Sequence, residues 1–218
     1  MSAHHESAGT HGFDRAYWED HWAADGPQRP DAGRRLPVSP YLPAETGHLP
    51  PGSALDAGCG QGTEALWLAD RGWQVTGADL SATALAEAAR RAEAAGLEQR
   101  VQWVETDLTR WEPDRSWDLV ATHYAHPESG QLTFYDRLGE LVAPGGTLLI
   151  VGHRHGEQGH GEQGHPEGAT ATLAGITGRF AGPGWSVEAA YENERTIPHG
   201  GRDLSLRDVV VRVRRNLP

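Results

Sequence analysis

The chain is 218 residues long and carries 30 acidic residues against 19 basic ones, all of the latter arginine, for a formal net charge of −11. That length suits one α/β core and leaves no room for a second sizeable domain, while the charge repels a phosphate backbone and argues against nucleic acid as a partner. No apolar run approaches the roughly 18 residues of a membrane span and no basic or apolar leader opens the chain, so no membrane association and a cytoplasmic location are expected.

Residues 1–12, polar and rich in His and Gly, are expected to form a disordered tail. In FDRAYWEDHWA, residues 13–23, Phe13, Tyr17, Trp18 and Trp22 recur at helical spacing. This predicts an aromatic helix that docks on the core, covers a ligand, or does both. Seven prolines between 26 and 53 predict an extended stretch with at most a short helix. Residues 13–53 thus read as an N-terminal helix and lid segment ahead of a single domain at 54–218. In that domain, strands predicted at 54–57, 74–78, 101–104, 117–122 and 147–151 are separated by helices predicted at 62–71, 82–95 and 129–142. Ser81 is placed to cap the second of these helices and Gly96 to end it. Such alternation predicts an α/β fold, a Rossmann-like three-layer sandwich whose ligand lies at the carboxyl ends of the strands. A helix ending near 180 leads into WSVEAAYE and, after a long connection, LRDVVVRVR. With Leu206, Val209, Val211 and Val213 alternating, these segments predict a C-terminal antiparallel hairpin completing a seven-stranded, mostly parallel sheet. Arg207, Arg212, Arg214 and Arg215 then read as the charged solvent face of an edge or penultimate strand.

GHRHGEQGHGEQGHPEG, residues 152–168, repeats GEQGH in tandem. A glycine-rich stretch of this kind does not fold alone, so a flexible His/Gly-rich loop is expected at the active-site end of the sheet. It serves there as a solvated loop or a substrate lid. His153, His155, His160 and His165 are metal-capable, but their spacing matches no closed structural site and no cysteine joins them. No metal site is expected.

The most informative run is ALDAGCGQGTEALWLADRGWQVTGADLS, residues 54–81. Strand, glycine turn, helix and a second strand ending in Asp79 form the layout of a nucleotide-binding βαβ unit. Gly58, Gly60 and Gly62 let the backbone turn tightly and approach a ligand. Asp79 is placed to accept hydrogen bonds from both hydroxyls of an adenosine ribose. A dinucleotide site wants its third glycine one residue later, where Thr63 stands. Asp56 beside the turn would repel a pyrophosphate and attract an α-ammonium group, which favours S-adenosylmethionine. Cys59, the only cysteine, reads as a small buried residue and not as a nucleophile.

On these residues the chain resembles the class I S-adenosylmethionine-dependent methyltransferases. The likeness extends to Asp107-Leu108 after VQWV, to WDLVATHY at 117–124 and to LVAPGGTLLIVG at 141–152. Within the class it is most similar to the small tellurite-resistance and thiopurine-methyltransferase-like group, through YWEDHWA and a short tail ending in a strand. Thr63-Glu64 stands where that group often has Arg-Asn. The resemblance implies that Asp56 and the Gly58, Cys59, Gly60 and Gly62 backbone place the methionine end of the cofactor. Asp79 would hold the ribose, Leu80 one face of the adenine, Asp107 its amino group and the Leu108 N–H its ring, with Thr122 close by through its backbone. His123, Tyr124 and His126 in ATHYAHP are the catalytic candidates: a histidine can take a proton from the acceptor, and Tyr124 can orient it. An Asn/Asp-Pro-Pro-Tyr motif, which grips planar nitrogens, is missing there. The expected function is methyl transfer to a small molecule, a thiol or other soft nucleophile or a phenol, by a monomer or homodimer. The alternative is a non-catalytic S-adenosylmethionine sensor or interaction module. Glu192, Glu194, Arg195 and His199 are expected in the connection before the last strand, near the pocket entrance.

Overall fold

The computed structural model describes residues 13–24, 37–154, 171–199 and 202–218. Its centre is a sheet in the order β3-β2-β1-β4-β5-β7-β6. β1 (Ser53–Ala57), β2 (Gln74–Asp79), β3 (Val101–Glu105), β4 (Trp117–His123) and β5 (Val142–His153) run parallel. β7 (Arg202–Arg215) lies antiparallel between β5 and β6 (Trp185–His199). Strand order reverses between β1 and β4, so the crevice beyond their carboxyl ends is the place where a sheet of this kind takes its ligand.

Strands buried on both faces need apolar residues at every position, and the side-chain period of two sends neighbours to opposite layers. Leu55, Val120, Leu148, Ile150 and Val211 accordingly pack with Phe134 and Leu138 of α5 (Gln131–Glu140) and Ile176 of α6 (Leu173–Arg179). Leu119, Ala121, Leu149, Val151 and Val210 pack on the other face with Tyr41 and Leu42 of α2 (Tyr41–Thr46) and Leu68 of α3 (Thr63–Asp70). Each large apolar side chain buried in these layers contributes about 1.5–3 kcal/mol. α4 (Ala82–Ala95) packs on β2 and β3, and α1 (Arg15–Ala24) packs on α4. Ser81 caps α4 by accepting from the Ala84 N–H at 3.1 Å, and Gly96 ends it in the left-handed conformation, as the sequence predicts.

Three boundaries differ from expectation for identifiable reasons. α5 starts at Gln131 and not at 129 because Gly130 before it has φ +84°, outside the helical region. β5 starts at Val142, five residues early (147 against 142), because Val142 pairs with Trp117 before a register shift restores the ladder at Leu119–Thr147. The long connection predicted before the last strand is instead strand. β6 and β7 pair with each other out to His199 and Arg202, whereas β5 pairs with β7 only to His153–Asp208. The hairpin therefore projects past the carboxyl end of β5, and Glu192, Glu194, Arg195 and His199 lie on β6. Among the described residues no layer covers this part of the hairpin, and two strands that satisfy each other's backbone then need no apolar alternation, which is why the pattern faded there. Residues 1–12 and the GEQGH repeat lie outside the described residues, as do His155, His160 and His165.

Candidate active site

The turn after β1 is built as its glycines require. Gly62 has φ +75°, and a Cβ there would meet the Trp103 ring at 2.5 Å, so any side chain would be both strained and blocked. Gly60 has φ +49° and lies under the Trp22 indole, 2.8 Å from where its Cβ would be. The Gly58 and Cys59 N–H groups both donate to the Ala78 carbonyl, at 2.9 and 3.1 Å, tying the turn to β2. Cys59 is buried, and burial pushes its thiol pKa well up, which removes it from nucleophilic chemistry.

Asp79 sits at the end of β2. Its Oδ2 accepts from the Gly60 N–H at 2.7 Å and its Oδ1 from the Ser81 N–H at 2.9 Å. Burial nonetheless raises its pKa, since these bonds only partly offset desolvation. α1 closes over this end of the sheet. Arg15 donates to the Leu80 carbonyl at 2.8 Å and pairs with Glu105, and Glu19 accepts from the Ala82 N–H at 2.6 Å. Asp107 follows β3 and accepts at Oδ1 from the Thr109 N–H and hydroxyl, at 3.0 and 2.6 Å. Leu108 turns its side chain into the core, and Thr122 donates its hydroxyl to the Ala57 carbonyl at 2.9 Å.

A cluster of buried, unmatched polar atoms lies around the carboxyl ends of β1 and β4. Asp56 is buried with Oδ2 unpartnered, and the Ser39 hydroxyl and both ring nitrogens of His123 are likewise buried without hydrogen bonds among the described residues. Glu64 stands among them, accepting from the Ser39 N–H at 3.1 Å. Burial, and then the Glu64 charge, push the Asp56 pKa well above the carboxylate range. Burial lowers that of His123, with Glu64 opposing.

The three catalytic candidates do not form one cluster. His126 and Tyr124 belong to an aromatic column: Tyr124 lies 4.7 Å from His153, His153 5.6 Å from His126, and His126 5.3 Å from Phe13 and 6.3 Å from Trp18, by ring centroids. The column joins the ends of β4 and β5 to α1. His123 stands near Glu64 instead. Gln131 Nε2 donates to the Ala125 carbonyl at 2.9 Å and lies 3.1 Å from His126 Nδ1, so with the amide in this orientation Nδ1 accepts and the ring proton is on Nε2. Tyr124 has φ +54°, the only non-glycine positive φ among the described residues. Its hydroxyl accepts from Arg195 Nη2 at 3.0 Å, and burial raises its pKa far above the usual phenol value.

Sequence reasoning missed the support behind Tyr124. Asp208, wholly buried on β7, accepts at Oδ2 from Arg195 Nε at 2.7 Å and from the Tyr41 hydroxyl at 2.8 Å, and Asn193 donates to that hydroxyl at 2.9 Å. One signal was available: a carboxylate directly before Val209-Val210-Val211 must be exposed or paired. Among the described residues no group of three or more His, Cys, Asp or Glu is arranged to hold a metal ion, and no helix is long and apolar enough to cross a membrane.

Residues 54–146 match the family described as a methyltransferase domain. A probable thiol methyltransferase 2 of Arabidopsis thaliana is 28% identical over 194 residues, spanning 88% of this chain and 76% of that protein. The structure solved for conversion of a disulfide bond into a thioacetal group during echinomycin biosynthesis superposes with TM-score 0.69 at 27% identity, covering 93% of this chain and 92% of that one. TehB from Haemophilus influenzae shares the fold at TM-score 0.69 and 17% identity, over 91% of this chain and 67% of its own. With the glycine turn, the acidic end of β2 and the β5-β7-β6 order all in place, residues 54–146 form a methyltransferase domain, and the chain around it is similar to the class I S-adenosylmethionine-dependent methyltransferases.

Proposed function

We propose that the enzyme methylates a small acceptor through a soft nucleophile, a thiol first and a phenol failing that. The observation that carries this reading is that Tyr124, His126 and His123, the three catalytic candidates, each make a poor proton acceptor as placed among the described residues. Tyr124 stays a neutral phenol because burial raises its pKa. The Nδ1 lone pair of His126 is taken by Gln131. His123 stands apart from the column, and its lowered pKa makes it a weak base. A thiol ionises near neutral pH unaided, whereas a phenol or an amine asks for help. The thiol named for the plant relative and the disulfide chemistry named for the structural relative fit the same acceptor atom.

The residues present fit S-adenosylmethionine. Asp56 Oδ2, Ser39 Oγ and the His123 nitrogens, grouped around Glu64, offer an acidic hydrogen-bonding cluster for its α-ammonium end. Asp79 retains lone pairs for the ribose hydroxyls beyond the two it uses on the turn. Gly58, Cys59, Gly60 and Gly62 line the path by backbone, Leu80 covers the adenine, and Asp107 and the Leu108 N–H address its edge. Thr122 borders the site by backbone. Bound there, the cofactor supplies a methyl group already activated on a sulfonium, so the protein's task is alignment and exclusion of water. Of the 13–53 lid segment, α1 acts as the lid on the 54–218 domain, supported by Trp22 over Gly60 and the Arg15 and Glu19 bonds to the end of β2, while α2 packs in the core and residues 25–36 lie outside the described residues. The net charge of −11 supports the further reading that nucleic acid is not a partner.

Two results are expected. Asp56 and Asp79 must be ionised to hold a cationic ligand, yet burial raises both pKa values in the free protein. Binding therefore releases protons, and S-adenosylmethionine affinity falls as pH is lowered through the raised pKa values of these carboxylates. Calorimetry in buffers of different ionisation enthalpy reads the release; pH-independent affinity without it would place these carboxylates away from the ligand. Secondly, a panel of thiols, phenols, amines, selenite, tellurite and halides, scored by S-adenosylhomocysteine release, should give its largest signal with thiols. With a series of thiols of different acidity, the rising limb of rate against pH should move with the thiol pKa. A limb fixed at one pH for every acceptor would reveal an enzyme base and end the soft-nucleophile argument.

A further inference from the structure

The β6–β7 hairpin overhangs the carboxyl end of the parallel strands and carries Arg195, a cation that is held firmly yet not fully used. Arg195 is anchored through Nε by Asp208 Oδ2, a carboxylate with no exposure to solvent, and through Nη2 by the Tyr124 hydroxyl. Its side chain keeps 22% of its surface exposed, and Nη1 has no hydrogen-bond partner among the described residues. Neighbouring charges on the hairpin are differently placed: Glu192 pairs with Arg154, and Glu194 with Arg207.

Building on the thiol reading above, we infer that Arg195 is a specificity residue that selects acceptors bearing a carboxylate or similar planar anion. Nη1 and Nη2 share one carbon in a rigid planar fork, so an anion on Nη1 must lie close to the Tyr124 hydroxyl that Nη2 touches. Tyr124 in turn lies 4.7 Å from His153 by ring centroids, the two rings tilted by 36°. A flat acceptor lying along the Tyr124–His153–His126 column would thus have its anionic group at the guanidinium. Planar bidentate anions match this donor edge as an ammonium would not. The Asp208 charge does not abolish the site. It balances the cation, which leaves recognition to directed N–H bonds and not to a broad positive field, and a field of that kind is absent from a chain of net charge −11. Asp208 also takes Nε and leaves the outer edge of the fork free to turn outward. The positive φ of Tyr124 and the Tyr41–Asp208–Asn193 bonds fix where that edge sits.

The test compares 4-mercaptobenzoate with 4-mercaptobenzamide, which match in shape and differ in charge. The wild-type enzyme should prefer the carboxylate by about tenfold to a hundredfold in kcat/KM, the range for a hydrogen bond to a charged group. In Arg195→Gln the ratio should fall to near parity, through KM more than kcat, and Arg195→Lys should recover only part of it because an ammonium cannot reproduce the fork. Equal use of the two thiols by the wild type, or a preference that survives Arg195→Gln, overturns the inference. Should neither thiol be methylated, the thiol reading fails by itself, and binding decides on Arg195. In the S-adenosylhomocysteine complex, calorimetry should then find 4-(methylthio)benzoate bound at least tenfold tighter by the wild type than by Arg195→Gln. Equal binding there would overturn the proposal as well.

Discussion

Replacing Asp208 with Ala should lower stability by about 3 kcal/mol, the largest single effect expected among polar substitutions here. Asp208 is wholly buried and serves three elements at once: β7 carries it, Arg195 of β6 donates to it, and Tyr41 of α2 donates to it. Removing one partner of a buried ion pair typically costs about 3–5 kcal/mol because the remaining charge loses its compensation. The lower end applies since Arg195 retains some contact with water. For a chain of this size, a loss of that order shifts Tm by roughly 6–12 °C. Asp208→Asn should lose less, because the amide oxygen still accepts one of the two bonds. Thermal and urea unfolding of both variants read the difference. A loss below about 1 kcal/mol in Asp208→Ala would mean that the network is not formed in solution. The substitution also frees Tyr124 in the aromatic column, so on the proposed function residual folded enzyme should be slow as well as unstable.

Asp79→Ala should weaken S-adenosylmethionine binding tenfold or more while the sheet persists. The carboxylate stands at the end of β2, beside the switch point, and its hydrogen bonds to Gly60 and Ser81 fix both the glycine turn and the start of α4. Two ribose hydroxyls would lose a charged acceptor, and bonds to charged groups are each worth about 1.5–3 kcal/mol. The raised pKa adds a compensation: relief of a desolvated charge offsets part of the stability lost with the two turn bonds. Calorimetric titration of the folded variant checks the effect. Unaltered affinity would show that the ribose lies elsewhere.

The sequence carried the parallel core because its signals are local and consistent. Glycines at 58, 60 and 62 are required by backbone angles and close approach, apolar runs of strand length can only be buried, and Ser81 and Gly96 bracket α4 as capping chemistry demands. The same local logic placed Asp56, Asp79, Asp107 and Thr122 at the carboxyl ends of strands or just beyond them, and all stand there. Val209, Val210 and Val211, every one fully buried, likewise follow from a strand covered on both faces.

What the tertiary structure alone decided depends on pairs of residues far apart in the chain. Tyr41, Arg195 and Asp208 have no common local pattern, and only the folding of β6 and β7 back over α2 brings them together. The projecting hairpin had no apolar period to announce it, since its two strands satisfy one another's backbone without a covering layer among the described residues. His123, Tyr124 and His126 are near neighbours in sequence, yet the left-handed turn at Tyr124 and the packing of α1 leave His123 near Glu64 and send the other two into the aromatic column. Local chemistry therefore determined the fold class and the cofactor turn. Long-range packing determined which side chains gather in the aromatic column and which beside Glu64, because desolvation and pairing are properties of assembled neighbours and not of any segment alone.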